Sequence, residues 1–565
     1  MKIKSVLTVI IALGALLLVL SLTAVGKVSG AIPRDVLAGS QSQPQIAQIL
    51  PKRSPIFWSL LVKPQRLGLL AKLAAKPRDR AEVSEELHKL KQQLSQNWLL
   101  DYGRDVQPWL DQEVSLAVTS IDLDDQPSNG LQTGYLLAFA IQDGELAKSK
   151  INRFWQKLVV DGKSVEFEQY RGLPILSVEI AKGRSHAVQT IAQTITDKFV
   201  LFANDRRVLQ QVIDTINSSQ SAIADLASYQ DSLPKFGDRR DGRFGFAYAN
   251  LEFGDLIKSQ IFEDTALPRS QKLIPDAMAP SVKDLGAGDS SQNVLISFNL
   301  DKSGIRLKTA SASLSQSVPI PFKDIVNKLP AESSVVFGRN LPQTLQSSEK
   351  TLPSALKKYL TKTLSPIPLD SRVWSWVKGD YAIASIPNSS NSADWLLVGE
   401  AEKASTKAAV AELDNLFRSK FTIGEIRLKQ QPVTIWTNLS AIADDRLVSG
   451  NIAIAHTQTP EYIYFSNSLP VLESTLSLKP SKAIASSKDF RNTISQLAKG
   501  QSTYAYLHKE IWQQWQQEIP LTSSLSPIIE SSPLPLISKH LNLIGIAGDN
   551  TLPDLLNAEI FLQLN

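Results

Sequence analysis

The chain has 565 residues, a 43% hydrophobic share, a net charge of +5 and no cysteine. It is long enough to bury full cores without covalent staples, and the missing cysteine excludes disulfides, thiolate metal sites, thiol catalysis and a lipid-modified N-terminal cysteine. The weak and scattered basic excess excludes a surface that tracks nucleic-acid phosphates.

The first element is an uncharged run. Ser5–Gly26 follows Lys2 and Lys4 and carries no ionisable side chain. As a helix it would span roughly 33 Å, enough for a hydrocarbon core of about 30 Å. A cleaved secretory signal has a shorter apolar core, about 7–15 residues, before small residues such as Ala24-Val25-Gly26 or Val28-Ser29-Gly30. The longer run makes residues 1–26 an expected transmembrane anchor, with a cleaved signal as the alternative. The positive flank stays on the cytoplasmic side, so the body is expected outside it. Residues 27–48 are small and polar around Ala38–Gln48 and read as a tether.

Beyond the tether, five blocks recur in the same order, with offsets between about 258 and 279 positions. Leu50-Pro51 with Ser54, Ile56 and Trp58 matches Leu329-Pro330 with Ser333, Val335 and Phe337. The stretch from Trp109 matches that from Trp376: aromatic, apolar, two polar positions, an acid, then a strand. Tyr135–Ile141 leads into a helix with Ile151, Phe154 and Leu158 on one stripe. Trp395–Ala401 leads into one with Val410, Leu413 and Phe417. The strand from Phe244 matches that from Ser502. Gly288-Asp289 with Asn293, Ile296 and Leu300 matches Gly548-Asp549 with Asn557, Ile560 and Leu564. These blocks define two tandem copies, residues 49–318 and 328–565. Copy one carries an extra stretch in a long amphipathic helix with Val83, Leu87, Leu90, Leu94 and Trp98 on one face.

Within copy one, Arg171-Gly172 is a hairpin turn, Asp205 is placed to cap the helix that follows it, and Asp301–Gly304 turns a long hairpin. Alternating strands and short connections predict an α+β fold. Each copy is expected as a mainly antiparallel sheet with helices on one face.

The N-terminal anchor, the Leu50-Pro51…Ser54 opening, the strand–helix unit Tyr135–Leu158 and the strand from Phe244 resemble a cyanobacterial family known as domain of unknown function 3352. The resemblance implies a membrane-associated protein of a photosynthetic bacterium and brings no catalytic residues.

Chemistry-bearing patterns are weak. His88, His186, His456, His508 and His540 show no i, i+4 pair, the spacing by which one helix face offers two ligands to a metal. Gly162-Lys163-Ser164 ends like a phosphate loop, but Lys157 stands where its first glycine belongs; a helix-to-strand turn explains the glycine better. Gly286 and Gly288 lack the third glycine of a dinucleotide site. Ser354 and Lys357 fit Ser-x-x-Lys without its partner motifs. Trp512 and Trp515 share a helix; the repeat matches Trp515 to Ile257, a core position, and leaves only Trp512 as a candidate for a bilayer interface, with core packing the better reading for both. The sequence therefore assigns no catalytic, cofactor-binding or metal residue. The expectation is a single-pass membrane protein with its body in the periplasm or thylakoid lumen, binding or scaffolding a protein or lipid partner. A lipid- or pigment-binding carrier and an envelope hydrolase are the alternatives.

Overall fold

A computed structural model describes residues 43–66, 85, 100–124, 126, 132–182, 187–218, 220–236, 242–250, 293–301, 304–310, 324–345, 364, 367, 373–388, 393–401, 405–441, 448–511, 541–548 and 558–564. The expected anchor, the amphipathic helix over residues 79–98 (apart from Glu85), Gly286 and Gly288, Ser354 and Lys357, Trp512 and Trp515, and His88, His186 and His540 lie outside them. Among the described residues no helix is long and apolar enough to cross a membrane. The chain divides into two units, one mainly up to Ala312 and the other mainly from Ser313 onward.

The first unit contains strands β1 (Ile56–Leu60), β2 (Leu110–Ser120), β3 (Gly134–Ile141), β4 (Val165–Tyr170), β5 (Leu173–Lys182), β6 (Ala187–Ile195), β7 (Phe199–Ala203), β8 (Arg243–Asn250), β9 (Asn293–Asp301) and β10 (Gly304–Ala310). Its helices are α1 (Gly144–Val160), α2 (Arg206–Asn217) and α3 (Ala227–Ser232). The strands pair in the order β10-β9-β8-β1-β2-β3-β7-β6-β5-β4, antiparallel throughout.

The second unit contains β11 (Ser334–Arg339), β12 (Asp380–Pro387), β13 (Ala393–Glu400), β14 (Thr422–Leu428), β15 (Gln431–Ala441), β16 (Val448–Gln458), β17 (Tyr462–Ser466), β18 (Thr503–His508), β19 (Leu541–Gly548) and β20 (Glu559–Leu564). Its helices are α4 (Ser405–Phe417), α5 (Leu469–Leu476) and α6 (Lys488–Ser495). The pairing order is β20-β19-β18-β11-β12-β13-β17-β16-β15-β14. Strand for strand, this is the order of the first unit.

The same small joints recur. Pro51 bridges Ala222, and Pro330 bridges Ala483. The Asn204 side chain accepts from the Tyr135 amide at 2.7 Å, as Asn467 does from Trp395 at 2.7 Å. Two of the matched blocks shift. Phe57 faces Tyr248 in the first unit, whereas Val335 faces Tyr506 in the second. The counterpart of Phe57 is thus Val335, and Ile56 and Trp58 occupy the places of Ser334 and Val336. Pro55 is the extra residue after Ser54, and one extra residue exchanges the two faces of a strand. The last block shifts further. Ala247 faces Ile296 and Ala505 faces Ile546, so β9 corresponds to β19, not to the strand holding Ile560 and Leu564. Neighbouring strands with similar alternation give the sequence no means of choosing between them.

Helices cover both faces of each sheet, not one. In the first unit α2 packs with Phe57, Leu136, Ala138 and Leu201 in one core. Helix α1 lies on the opposite face, where Phe154 meets Phe202 edge-on with centroids 6.0 Å apart. In the second unit α5 joins the core of Leu396, Val398 and Ala455, while α4 stacks Phe417 on Trp436 on the other side. The reason lies in the strands. From Gly134 to Ala140 every residue of β3 is buried, and so is every residue of β7. A strand apolar on both faces needs cover on both.

The local signals form as expected. Asp205 caps α2 by accepting from the Arg207 amide at 2.8 Å. Arg171 and Gly172 take φ of 44° and 85° at the β4–β5 turn. Gly162, with φ 76°, closes α1: its amide bonds Val159 O at 3.0 Å and that of Lys163 bonds Leu158 O at 2.9 Å. This is the left-handed helix stop that glycine favours.

The last residues of the expected tether are ordered against the first unit. Gln45–Gln48 form a turn of 3-10 helix, and Ile46 and Ala47 are buried in the first core.

Candidate functional site

Three polar clusters among the described residues join an ionisable side chain to buried partners. The first joins α4 to its sheet. Asp414 Oδ1 accepts from His456 Nε2 at 2.8 Å and from Trp436 Nε1 at 2.8 Å. Phe465 stacks on the imidazole at 4.9 Å, and Trp436 meets it edge-on at 6.0 Å. His456 is buried. A carboxylate on a histidine is the orienting half of an acid–base device, but here rings enclose the imidazole and the bond ties a helix to a strand.

The first unit has the matching place. Trp155 of α1 occupies the position of Asp414, and Gln193 faces Phe202 as His456 faces Phe465. Trp155 Nε1 donates to Gln193 Oε1 at 2.8 Å. The contact recurs with other chemistry.

The second cluster is a serine–histidine pair. Ser334 Oγ lies 3.0 Å from His508 Nδ1 and accepts from the His508 amide at 3.0 Å. Burial pushes the imidazole below its ordinary range, with Glu510 and Asp489 opposing weakly. A neutral imidazole beside a hydroxyl is the arrangement of a general base and nucleophile. The same residue's amide also holds the hydroxyl, which joins the end of β18 to the start of β11.

The third cluster surrounds Glu113, a carboxyl with no exposed surface. Its oxygens accept from the Gln45 amide at 2.7 Å, the Ile46 amide at 3.0 Å and Ser115 Oγ at 2.8 Å. Ser59 Oγ stands behind Ser115 at 2.7 Å. Burial raises the carboxyl to about 7, against the pull of these hydrogen bonds. Pro44, the N-cap of the Gln45–Gln48 turn, offers no side-chain bond, so Glu113 satisfies the open amides from the sheet. Its counterpart Asp380 instead pairs with Arg339 at 2.7 Å, and burial raises this carboxyl too.

Both matched stretches carry an acid at this point, and no local pattern gives it a role. An ionisable group at the head of an otherwise apolar strand was the available signal. Of the histidines singled out, the structure places His456 and His508 in separate clusters. Among the described residues no group of three His, Asp or Glu side chains is placed to hold a metal ion. Lys163 and Ser164 follow the α1 stop, and Gly548 ends β19.

Sheet order and buried clusters define a two-unit antiparallel α+β protein with helices on both faces of each sheet. The chain belongs to the family described as Protein of unknown function (DUF3352), whose model matches residues 9–564. No curated protein and no solved structure matches it.

Proposed function

We propose that this is a single-pass membrane protein whose exported body, in the periplasm or thylakoid lumen, consists of two copies of one unit and binds or scaffolds a partner without catalysis. The observation that carries the reading is the pair of matching contacts, Trp155–Gln193 and Asp414–His456. The two units keep the helix-to-sheet bond while exchanging its chemistry, which is what a structural joint requires and a reaction does not. The shared strand order supports the duplication, and the uncharged run Ser5–Gly26 supports the anchor.

Two experiments test this. An alkaline wash of membranes should leave the chain in the pellet; release of a shortened soluble form overturns the anchor. Capture from gently solubilised membranes, reading proteins and lipids together, should return a stoichiometric companion; turnover of an added ester by the purified chain overturns the non-catalytic reading.

A second reading, an envelope hydrolase, rests on Ser334 and His508 at 3.0 Å. It requires Ser334 to label with a fluorophosphonate and S334A to abolish the labelling. An unlabelled native chain removes it.

A further inference from the structure

The surface where α1 turns into β4 is unlike its counterpart in the second unit. Val159 and Val160 end α1 at 57% and 85% exposure, and Phe167 of β4 is 66% exposed. Strand β4 ends the first unit's strand order and packs against α1. Its alternate residues are engaged with α2: Glu166 with Arg206 at 3.3 Å, Glu168 with Gln210 at 2.6 Å and Tyr170 with Asp214 at 3.1 Å. Phe167 therefore points to the α1 side.

Cations line the same corner. Arg153, Lys157 and Val160 fall at i, i+4 and i+7 on the exposed stripe of α1, and Lys163 follows the Gly162 stop; all are exposed. Asp161 is the nearby counter-charge, while Glu166 is turned toward Arg206. In the second unit the matching positions hold Glu412 for Arg153, Leu416 for Lys157, Arg418 for Val159, Ser419 for Val160 and Glu425 for Phe167. Leu416 is exposed there too, at 63%, beside Arg418 and Lys420, but Glu412 and Glu425 break the basic stripe, and the combined Val159, Val160 and Phe167 tip is confined to the first unit.

We propose that this corner docks on an anionic lipid surface, as a second contact of the body with the bilayer that holds its N-terminus. The proposal rests on the anchored reading for its proximity. Residues 27–44, fully extended, reach at most roughly 60 Å, so the lipid surface is present at high effective concentration. Three cations around exposed Val and Phe side chains match anionic headgroups over an acyl layer.

The absence of cysteine makes V160C and the control S419C single labelling sites. An environment-sensitive fluorophore at each position, in the full chain reconstituted into phosphatidylcholine vesicles with or without phosphatidylglycerol, reads the contact. Position 160 should shift to the blue and be quenched by nitroxide lipid when phosphatidylglycerol is present; position 419 should do neither. K157Q with K163Q should move the docked-to-undocked ratio roughly thirtyfold toward undocked. Water-like emission at position 160 in both lipids overturns the proposal. So does a shift that follows protein concentration and not lipid charge, which assigns the corner to a second copy. Failure of the anchor is separate: an alkaline wash then strips the chain, while position 160 still shifts before the wash.

Discussion

Asp414 Oδ1 lies 2.8 Å from His456 Nε2, so one hydrogen bond across 42 residues of chain fastens helix α4 to strand β16. Trp436 shares the same carboxylate oxygen, so removing Asp414 orphans two buried donors.

D414A should therefore destabilise the second unit by about 2–4 kcal/mol, the cost of leaving buried polar groups unpaired. H456Q should cost less than H456A, because an amide can still donate to Asp414, and glutamine already occupies the matching strand position at Gln193. Urea unfolding of the three variants checks the order. Equal losses for H456Q and H456A would count against the joint.

Glu113 makes stability pH-dependent. Its carboxyl holds a proton up to about 7 when folded, against an ordinary value of 4.5. The folded state thus binds the proton more tightly. The stabilisation is complete below about pH 4.5 and is lost as the pH rises through about 7, roughly 3 kcal/mol in all. The facing donors are the Gln45 and Ile46 amides and Ser115, with Ser59 behind and Tyr229 nearby. E113Q should flatten this part of the profile between about pH 5 and about pH 8. Urea midpoints at the two values measure it, and an unchanged slope in E113Q refutes the assignment.

The β14–β15 turn carries avoidable strain. Lys429 and Gln430 have φ of 49° and 71°, whereas the matching β4–β5 turn places Gly172 second. Left-handed backbone costs a non-glycine residue about 1 kcal/mol. Q430G should raise stability by about 0.5–1 kcal/mol, and G172A should lower it by at least as much. Thermal midpoints of the pair give the comparison.

Asp205 caps α2, which supplies Val208, Leu209, Val212 and Ile213 to the first core. D205A should cost about 1 kcal/mol, and D205N should recover part of it through its own side-chain oxygen. Denaturant midpoints distinguish the two variants.

Cap and turn were both legible beforehand because they act within a few residues. Asp205 precedes its helix directly, and Arg171-Gly172 and Asp301–Gly304 mark their hairpins by composition. The shared strand order of the two units was foreshadowed by ordered blocks, but register was not. Pro55 slips the pairing of β1 by one place, and the alternation of β9 resembles that of both β19 and β20. The polar clusters were not legible either. Glu113 meets Gln45 across 68 positions and Ser334 meets His508 across 174, separations at which no local pattern reports a partner.

The sequence by itself determined the uncharged N-terminal run, the class of the body, its strand-rich order and its local stops, because charge, hydropathy period and glycine or aspartate chemistry act over single turns. Tertiary structure alone decided that helices cover both faces of each sheet, that Glu113 meets the open amides of Gln45 and Ile46, and that Val159, Val160 and Phe167 stay exposed together at one corner. Those outcomes depend on which distant surfaces exclude water together, and burial is a property of the packed chain.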